Sequence, residues 1–436
     1  MDERKENKNG EQLHNSQKET DNEDYSFLRE TIKGKPMDKR KICFKVLGLI
    51  GGAILFGIVA AVVFVRVVPM VENYSKKPEQ VDIPTDDPEE TVTPTPEPTV
   101  TEVTPTPEEE PADTLEAYRD VYIAMQDIAE EPSHAMTTVT GVASDEDWFN
   151  EVNESKSQAA GVIVANNGQD LLILTQYEAI QEVDRILVAF WDGTEVDAQY
   201  QKYDPNTGLA IVRVPIGSLP AETMDEVVVA ELGNSYGVTQ GEPVIAIGSP
   251  MGYSKSIVYG QITSIDNKIS TIDTEYNLIT TNVMGSADGS GVLIDLDGKI
   301  VGIIAQKYAS ENNKNIIMGL SISQLKNLIE TLSNNGELVY MGIQGQDVTE
   351  TISSQSGMPK GVYVNVAQPD SPALQAGIQN ADIITKINGE DVETLRSLHD
   401  KLCKCAAGTV LKVTVMRKGA EGYVEFEFQV TLQALS

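Results

Sequence analysis

The sequence predicts a mainly β protein with a smaller α/β domain towards its C-terminal end. From Met136 to about Ile322, short β-type runs alternate with turn residues, as in DLLILT and PVIAIG. Two Asp-Gly pairs, Asp192-Gly193 and Asp297-Gly298, lie between strand-like runs, which is typical of tight hairpins. Many short strands with little helix predict a β-barrel or a sandwich. Residues 338–434 then combine strands such as GVYVNV with one short helix at 395–402.

Before the β-rich region, the chain divides into a polar tail and one long apolar run. Residues 1–45 carry both charge signs and little apolar periodicity, so we expect a disordered cytoplasmic tail. Residues 46–65 contain no charged side chain over a run of 20 residues. At about 1.5 Å per residue such a helix spans about 30 Å, the thickness of a bilayer core. The sequence therefore predicts one transmembrane helix that anchors the chain in a lipid bilayer.

The charges on either side of this run predict its orientation. Six Lys or Arg side chains lie within residues 33–45, whereas three follow at residues 66, 76 and 77. The positive-inside rule then places the N-terminus in the cytoplasm and the folded domains outside the cell membrane.

An acidic, proline-rich stalk is predicted over residues 66–113. Its part from 78 to 113 holds nine Pro and twelve Asp or Glu and neither Lys nor Arg. Proline favours extended backbone and like charges stretch it further, so this range is expected to hold the folded domains away from the bilayer. Apolar residues at helical spacing then predict an amphipathic helix at 114–130.

Composition excludes several kinds of function. The chain of 436 residues has a formal net charge of −33, which repels phosphate backbones, so nucleic acid is not an expected partner. Its three cysteines (Cys43, Cys403 and Cys405) are too few for a disulfide framework. With only three His and no Cys/His cluster, neither a metal site nor a cofactor is expected.

An ordered set of motifs identifies a family resemblance. The runs DGTEVDAQYQKYDPNTGLAIVRV, ELGNSYGVTQGEPVIAIGSPMG, LIDLDGKIVGII and SPALQAGIQNADIITKINGEDV follow one another. Together they closely resemble the HtrA/Deg family of trypsin-fold serine proteases, which carry a C-terminal PDZ domain and are often membrane-anchored in Gram-positive bacteria. The resemblance implies a chymotrypsin-like double β-barrel at 114–335, followed by an α/β PDZ domain at 338–434.

The catalytic positions of the family are replaced in this chain. The family's triad needs a Ser nucleophile, a His base and an Asp that orients the His. Aligned by resemblance, LTQYEAI places Glu178 at the His position and TGLAIVR places Gly208 at the Asp position. TTNVMGSADGSGVL places Gly289 at the Ser position. Glu178 is a weak base for a Ser hydroxyl at neutral pH, so the resemblance implies a catalytically degenerate member.

Other serines and histidines offer only weak substitutes. Ser290 is one residue beyond the nucleophile position, where a strand side chain points the other way, and Ser286 lies on the wrong side of the loop. Of the three histidines, His14 is in the tail, His134 is expected on the surface at a strand start, and His399 is in the PDZ helix.

The oxyanion hole is a separate question from the triad. In the family it is formed by backbone N–H groups of the nucleophile loop, which corresponds to 287–289 here. Backbone donors survive a side-chain replacement only where the loop keeps its shape, and the family's proline in this loop is replaced by Ser286. The sequence alone does not decide whether the hole forms.

The peptide-binding loop of the PDZ domain is better preserved. By resemblance, backbone N–H groups at Tyr340, Met341, Gly342 and Ile343 capture a C-terminal carboxylate while the peptide adds as a β-strand. The expected partners are protein or peptide C-termini and unfolded segments.

Three hypotheses follow from these sequence observations. The first is a membrane-tethered pseudoprotease that binds peptides without cutting them, as a scaffold or quality-control regulator. The second is an active endopeptidase with non-standard residues. The third, which overlaps the first, is a subunit that forms homo- or hetero-trimers with HtrA-like proteins.

Overall fold

The computed structural model describes residues 78–88, 114–146 and 152–435. No helix within these ranges is long and apolar enough to cross a membrane. The predicted tail at 1–45, the predicted transmembrane helix at 46–65 and most of the predicted stalk lie outside the described residues.

A closed antiparallel barrel of six strands forms the first half of the trypsin-like region. Its strands pair in the order β1-β2-β3-β6-β5-β4. They are β1 (Met136–Glu146), β2 (Val152–Asn166), β3 (Asp170–Gln176), β4 (Arg185–Ala189), β5 (Glu195–Tyr203) and β6 (Leu209–Pro215). Helix α1 (Thr114–His134) precedes the barrel and extends four residues beyond the predicted end at 130, while α2 (Ala221–Glu226) follows it.

A second closed barrel of six strands follows, with the order β10-β11-β12-β9-β8-β7. Its strands are β7 (Pro243–Ser249), β8 (Ser256–Ser270), β9 (Glu275–Met284), β10 (Ser290–Ile294), β11 (Ile300–Ile304) and β12 (Ile316–Ser321). The two barrels confirm the chymotrypsin-like double β-barrel implied by the resemblance.

The two barrels share an apolar seam because several strands are buried on both faces. In β2 and β3, Ile163 and Ile173 point into the first barrel, whereas the alternate residues Val162 and Leu172 pack in the seam. Successive strand side chains point to opposite faces, so both sets are buried only where a strand has a core on each side. Double burial explains why these strands have continuous rather than alternating apolar runs.

Helix α3 (Ile322–Ser333) closes this seam at one end. Ile322, Leu325, Ile329 and Leu332 recur at helical spacing and are all buried in the same cluster as the seam residues.

The main sheet of the PDZ domain has six strands. Five of them pair in the order β14-β15-β16-β18-β19, and β17 pairs with β16. Strands β13 and β20 form a separate two-stranded sheet. The strands of the domain are β13 (Val339–Tyr340), β14 (Ile343–Val348), β15 (Gly361–Ala367), β16 (Ile383–Ile387), β17 (Glu390–Asp391), β18 (Val410–Lys418), β19 (Tyr423–Thr431) and β20 (Gln433–Ala434). Its helices are α4 (Glu350–Ser356), α5 (Pro372–Ala376) and α6 (Leu395–Leu402).

Helix α6 confirms the predicted helix at 395–402. Thr394 and Ser397 form a capping box that satisfies N–H groups at its start. Leu395, Leu398 and Leu402 are buried in the PDZ core.

Residues 78–88, which fall within the predicted stalk range, pack on the barrel region beside α3. Ile83 is buried in the seam cluster. Asn334 donates to the Val81 carbonyl at 2.7 Å and accepts from the Val81 N–H at 2.8 Å. The Asp86 carboxylate accepts from Lys326 Nζ at 2.8 Å and from Ser323 Oγ at 2.5 Å. Lys326 is therefore a buried cation whose charge is compensated by a residue of this segment.

Replacing Asp86 by Ala should destabilise the fold, since it leaves the buried Lys326 ammonium without its counter-charge. Loss of one partner of a buried ion pair costs about 3 kcal/mol in the free energy of unfolding. Urea unfolding measures the change, with Asp82→Ala, at an exposed position of the same segment, as the control. Equal stability of the two variants would contradict the assignment.

Candidate functional site

Glu178 and Gly208 lie side by side at one end of the first barrel. Glu178 is exposed in a single 3₁₀ turn, Tyr177–Ala179, that follows β3, and Gly208 directly precedes β6. The Tyr177 N–H donates to the Gly208 carbonyl at 2.8 Å, which holds the two elements together.

The space next to Gly208 is taken by a lysine. Gly208 has a φ of +69°, and a Cβ atom added there would lie 2.8 Å from the Nζ atom of Lys307. That ammonium donates to the Asn206 carbonyl at 3.3 Å. Desolvation lowers the pKa of Lys307, while the nearby Asp204 and Glu178 carboxylates oppose this shift. A cation thus lies where an Asp side chain at position 208 would begin.

The backbone around Gly289 leaves no room for a side chain. An added Cβ would meet the Pro250 carbonyl oxygen at 2.7 Å and the Ser286 carbonyl oxygen at 2.9 Å. Both atoms belong to the backbone, so a Ser at this position requires the loop itself to move.

The Gly289 N–H is used within its own loop. It donates to the Ser286 carbonyl at 3.0 Å, and the Gln306 side-chain amide donates to the same oxygen at 3.3 Å. The Ser286 N–H in turn donates to the Pro250 carbonyl at 2.9 Å. An oxyanion hole needs N–H groups directed at the reacting oxygen, and this one is directed into the loop.

Ser290 serves as a buried link between the two barrels. It is the first residue of β10 and only 2% exposed. Its Oγ atom accepts a hydrogen bond of 2.9 Å from the Ala160 N–H of β2.

The two histidines in the described ranges lie away from these serines. His134 ends α1, and its ring stacks on Trp191 with the ring centroids 4.0 Å apart, so it is a packed residue at a helix end rather than a surface residue at a strand start. His399 lies on α6, where burial lowers its pKa. Among the described residues, neither imidazole hydrogen-bonds Ser286 or Ser290.

The PDZ loop has the backbone shape that carboxylate capture needs. Gly342 has a φ of +92°, and a Cβ there would lie 2.2 Å from the Cβ of Ser371. Only glycine fits this close approach. The loop joins Tyr340 at the end of β13 to Ile343 at the start of β14.

A carboxylate of the same chain is bound to this loop. Asp273, in the turn between β8 and β9, accepts from the Met341 N–H at 2.6 Å and from the Ile343 N–H at 2.9 Å. The Gly342 N–H lies 3.0 and 2.9 Å from its two oxygens. Sequence reasoning identified the loop and missed Asp273, whose run STIDTEY carries no signal beyond an ordinary turn.

Burial and hydrogen bonding act on Asp273 in opposite directions. The residue is 3% exposed, and burial raises the pKa of its carboxyl group to about 6, while the three N–H donors oppose the rise. At neutral pH the group is therefore ionised, as a peptide C-terminus is.

Comparison with known families assigns both folded regions. Residues 159–303 match the trypsin-like peptidase domain, and residues 339–427 match the PDZ domain.

Two curated relatives match more than half of this chain. The chain is 27% identical over 324 residues to a protein named serine protease Do-like HtrA of Bacillus subtilis (strain 168), over 68% of this chain and 71% of that protein. It is 28% identical over 275 residues to a probable periplasmic serine endoprotease, DegP-like, of Halomonas elongata, over 61% of this chain. That match spans only 55% of the length of the Halomonas protein.

Solved structures agree in fold. The HtrA-type protease AlgW in complex with a decapeptide superposes with a TM-score of 0.54 at 20% identity, over 71% of this chain and 98% of that one. The same protease with a tripeptide gives a TM-score of 0.53 at 19% identity, over 71% and 97%.

Replacing Ser290 by Ala should destabilise the fold, because the buried Ala160 N–H loses its acceptor. An unsatisfied buried donor costs about 1–3 kcal/mol in the free energy of unfolding. Urea unfolding measures this, with the exposed Ser254→Ala as the matched control. A Ser290→Ala variant as stable as the control would show that the hydroxyl has no structural role.

Proposed function

Because the chain joins a trypsin-like peptidase domain to a PDZ domain and its relatives are named HtrA and DegP-like serine proteases, we propose that it is a peptide-binding pseudoprotease of this type. It binds exposed protein C-termini or unfolded segments through the PDZ domain and does not cut them.

The geometry at Gly289 carries this proposal. The nucleophile position is a glycine, and a Cβ atom added there would lie 2.7 and 2.9 Å from two backbone oxygens. The N–H of this glycine donates to a carbonyl of its own loop. Covalent catalysis by acyl transfer needs both a nucleophile and donors for the developing oxyanion. The nucleophile side chain is missing, and the Gly289 N–H is directed into the loop rather than towards a reacting oxygen.

The other two triad positions support the same proposal. Glu178 is exposed and offers a carboxylate in place of the imidazole that takes the Ser proton in the family's triad. At position 208, the Lys307 ammonium replaces the negative charge that would stabilise an imidazolium. The one nearby hydroxyl in the strand, Ser290, is held by the Ala160 N–H.

Peptide capture is supported by the preserved PDZ loop. Three successive N–H groups at Met341, Gly342 and Ile343 converge on one carboxylate. Such a cluster recognises a C-terminal carboxylate, and the adjacent strand β14 offers backbone groups to a peptide strand.

Location and assembly belong to the proposal as well. The apolar run at 46–65 and its flanking charges favour a single-pass anchor with the folded domains on the extracytoplasmic side. Association with HtrA-like proteins into a trimer stays a prediction from the family resemblance. In that case the chain would present peptides to an active partner.

The full chain is expected to be proteolytically inactive. It should neither cleave casein nor react with a fluorophosphonate probe, since triad loss lowers turnover by about 10⁶-fold. The variant Glu178→His/Gly208→Asp/Gly289→Ser should also stay unlabelled, because the Pro250 and Ser286 carbonyl oxygens occupy the space that a Ser side chain at position 289 needs.

Two outcomes would overturn this expectation. Labelling of the unmodified chain that disappears in Ser290→Ala would favour the active endopeptidase. Labelling of the triple variant would show that the Gly289 loop rearranges freely. Circular dichroism on each variant confirms that it is folded.

A free C-terminus should be needed for peptide binding. The probe is a fluorescein-labelled decapeptide pool, randomised at its last four positions, and fluorescence anisotropy reports its binding to the full chain. Amidating the C-termini should weaken binding about 10-fold or more, because hydrogen bonds to a charged carboxylate are replaced by neutral ones. Equal binding of both pools would place peptide recognition elsewhere.

A further inference from the structure

The turn between β8 and β9 is placed in the PDZ groove as a peptide C-terminus would be. Besides its carboxylate contacts, Asp273 donates its backbone N–H to the Ile343 carbonyl at 2.7 Å. Ser270 Oγ, at the end of β8, donates to the Gly345 carbonyl at 3.2 Å. Residues 270–273 therefore lie beside the first residues of β14, with the carboxylate at the loop end and one backbone hydrogen bond to the strand, as the last residue of a bound peptide would make.

The backbone of the turn is shaped to deliver this carboxylate. Asp273 has a φ of +59°, the left-handed region that side chains other than Gly rarely adopt. Asp tolerates it better than most residues, and the Thr271 N–H closes the turn by donating to the Thr274 carbonyl at 2.9 Å. Residues in such sparsely populated backbone conformations cluster at functional sites.

Helix α6 of the PDZ domain also lies near the turn. His399 of α6 and Asp273 line the same cavity. The guanidinium of Arg396, on the same helix, lies 4.6 Å from the ring centroid of Tyr236 of the barrel region. Strand β14 and helix α6 therefore both contact residues of the barrel region.

We propose that the β8–β9 turn is a built-in ligand of the PDZ domain, with Asp273 in the place of a peptide's terminal carboxylate, and that peptides bind by displacing it. This proposal rests on the proposed function, because displacement has meaning only where the groove takes peptides. The displacing partner is a chain with a free C-terminal carboxylate.

The intramolecular position of the turn makes it an effective competitor. A tethered group acts at an effective concentration of about a millimolar or more, so the apparent affinity for a free peptide falls by the fraction of molecules in which the groove is open. Weakening the turn should therefore strengthen peptide binding without adding a contact to the peptide.

The test compares Asp273→Asn with the unmodified full chain and with Asp266→Asn, an exposed position on β8. The Asn side chain keeps the shape of Asp but loses the charge. The free-carboxylate decapeptide pool should bind Asp273→Asn about 10-fold more tightly or better, whereas Asp266→Asn should match the unmodified chain. Hydrogen exchange of the Met341–Ile343 amides should be faster in Asp273→Asn.

The outcomes separate this proposal from the proposed function. If the unmodified chain and Asp273→Asn both bind the peptide pool with equal affinity, the turn does not compete with peptides. That result contradicts this proposal but agrees with peptide binding by the PDZ domain. Faster amide exchange without binding in either protein overturns peptide binding, and displacement with it.

A measurement on the unmodified chain covers the case in which Asp273→Asn does not fold. Saturating peptide should speed hydrogen exchange at the Asp273 N–H, since its acceptor at Ile343 is taken over by the peptide. Unchanged exchange at Asp273 on peptide binding overturns the proposal.

Discussion

The apolar seam between the two barrels is the constraint on which the cleft depends. Strands of both barrels bury one face in their own interior and the other face against each other, so neither barrel can shift without exposing apolar surface. Ser290 and Ala160 join the barrels by a hydrogen bond within this seam. The start of β10, and with it the end of the Gly289 loop, is therefore held in a fixed place.

One short turn contacts two of the three positions that the family resemblance aligns with the triad. The 3₁₀ turn Gln306–Tyr308 contacts both halves of the cleft, since Gln306 bonds the Ser286 carbonyl and Lys307 lies against Gly208. A side chain at position 289 would meet backbone oxygens, and one at position 208 would meet the Lys307 ammonium. Under the proposed function, the cleft is a packed arrangement of its own rather than a protease site that lacks three groups.

Local sequence patterns and family motifs predicted the strands and the positions aligned with the triad. The apolar runs at 170–175 and 243–248 correspond to β3 and β7, because burial on both faces leaves a continuous apolar signal. The family motifs located Glu178, Gly208 and Gly289, but not Lys307, whose role depends on a contact with a residue about a hundred positions earlier. Asp273 was missed for the same reason, since nothing in a turn sequence records that it meets a loop some seventy residues later.

Opposing contributions act on the contact between Asp273 and the PDZ loop. Its hydrogen bonds are offset by the loss of water around a buried carboxylate, which is why the pKa of this group lies above its usual range despite three N–H donors. A peptide that displaces it brings a second carboxylate to the same N–H groups, while Asp273 regains its hydration. The number of hydrogen bonds to the loop is then the same with Asp273 bound and with the peptide bound. The difference in binding free energy therefore depends on the side chains that accompany each carboxylate. A turn has few such side chains to place in the groove, whereas a peptide strand can extend further along β14. Under the proposed displacement, selectivity among peptides comes from the residues that precede the carboxylate.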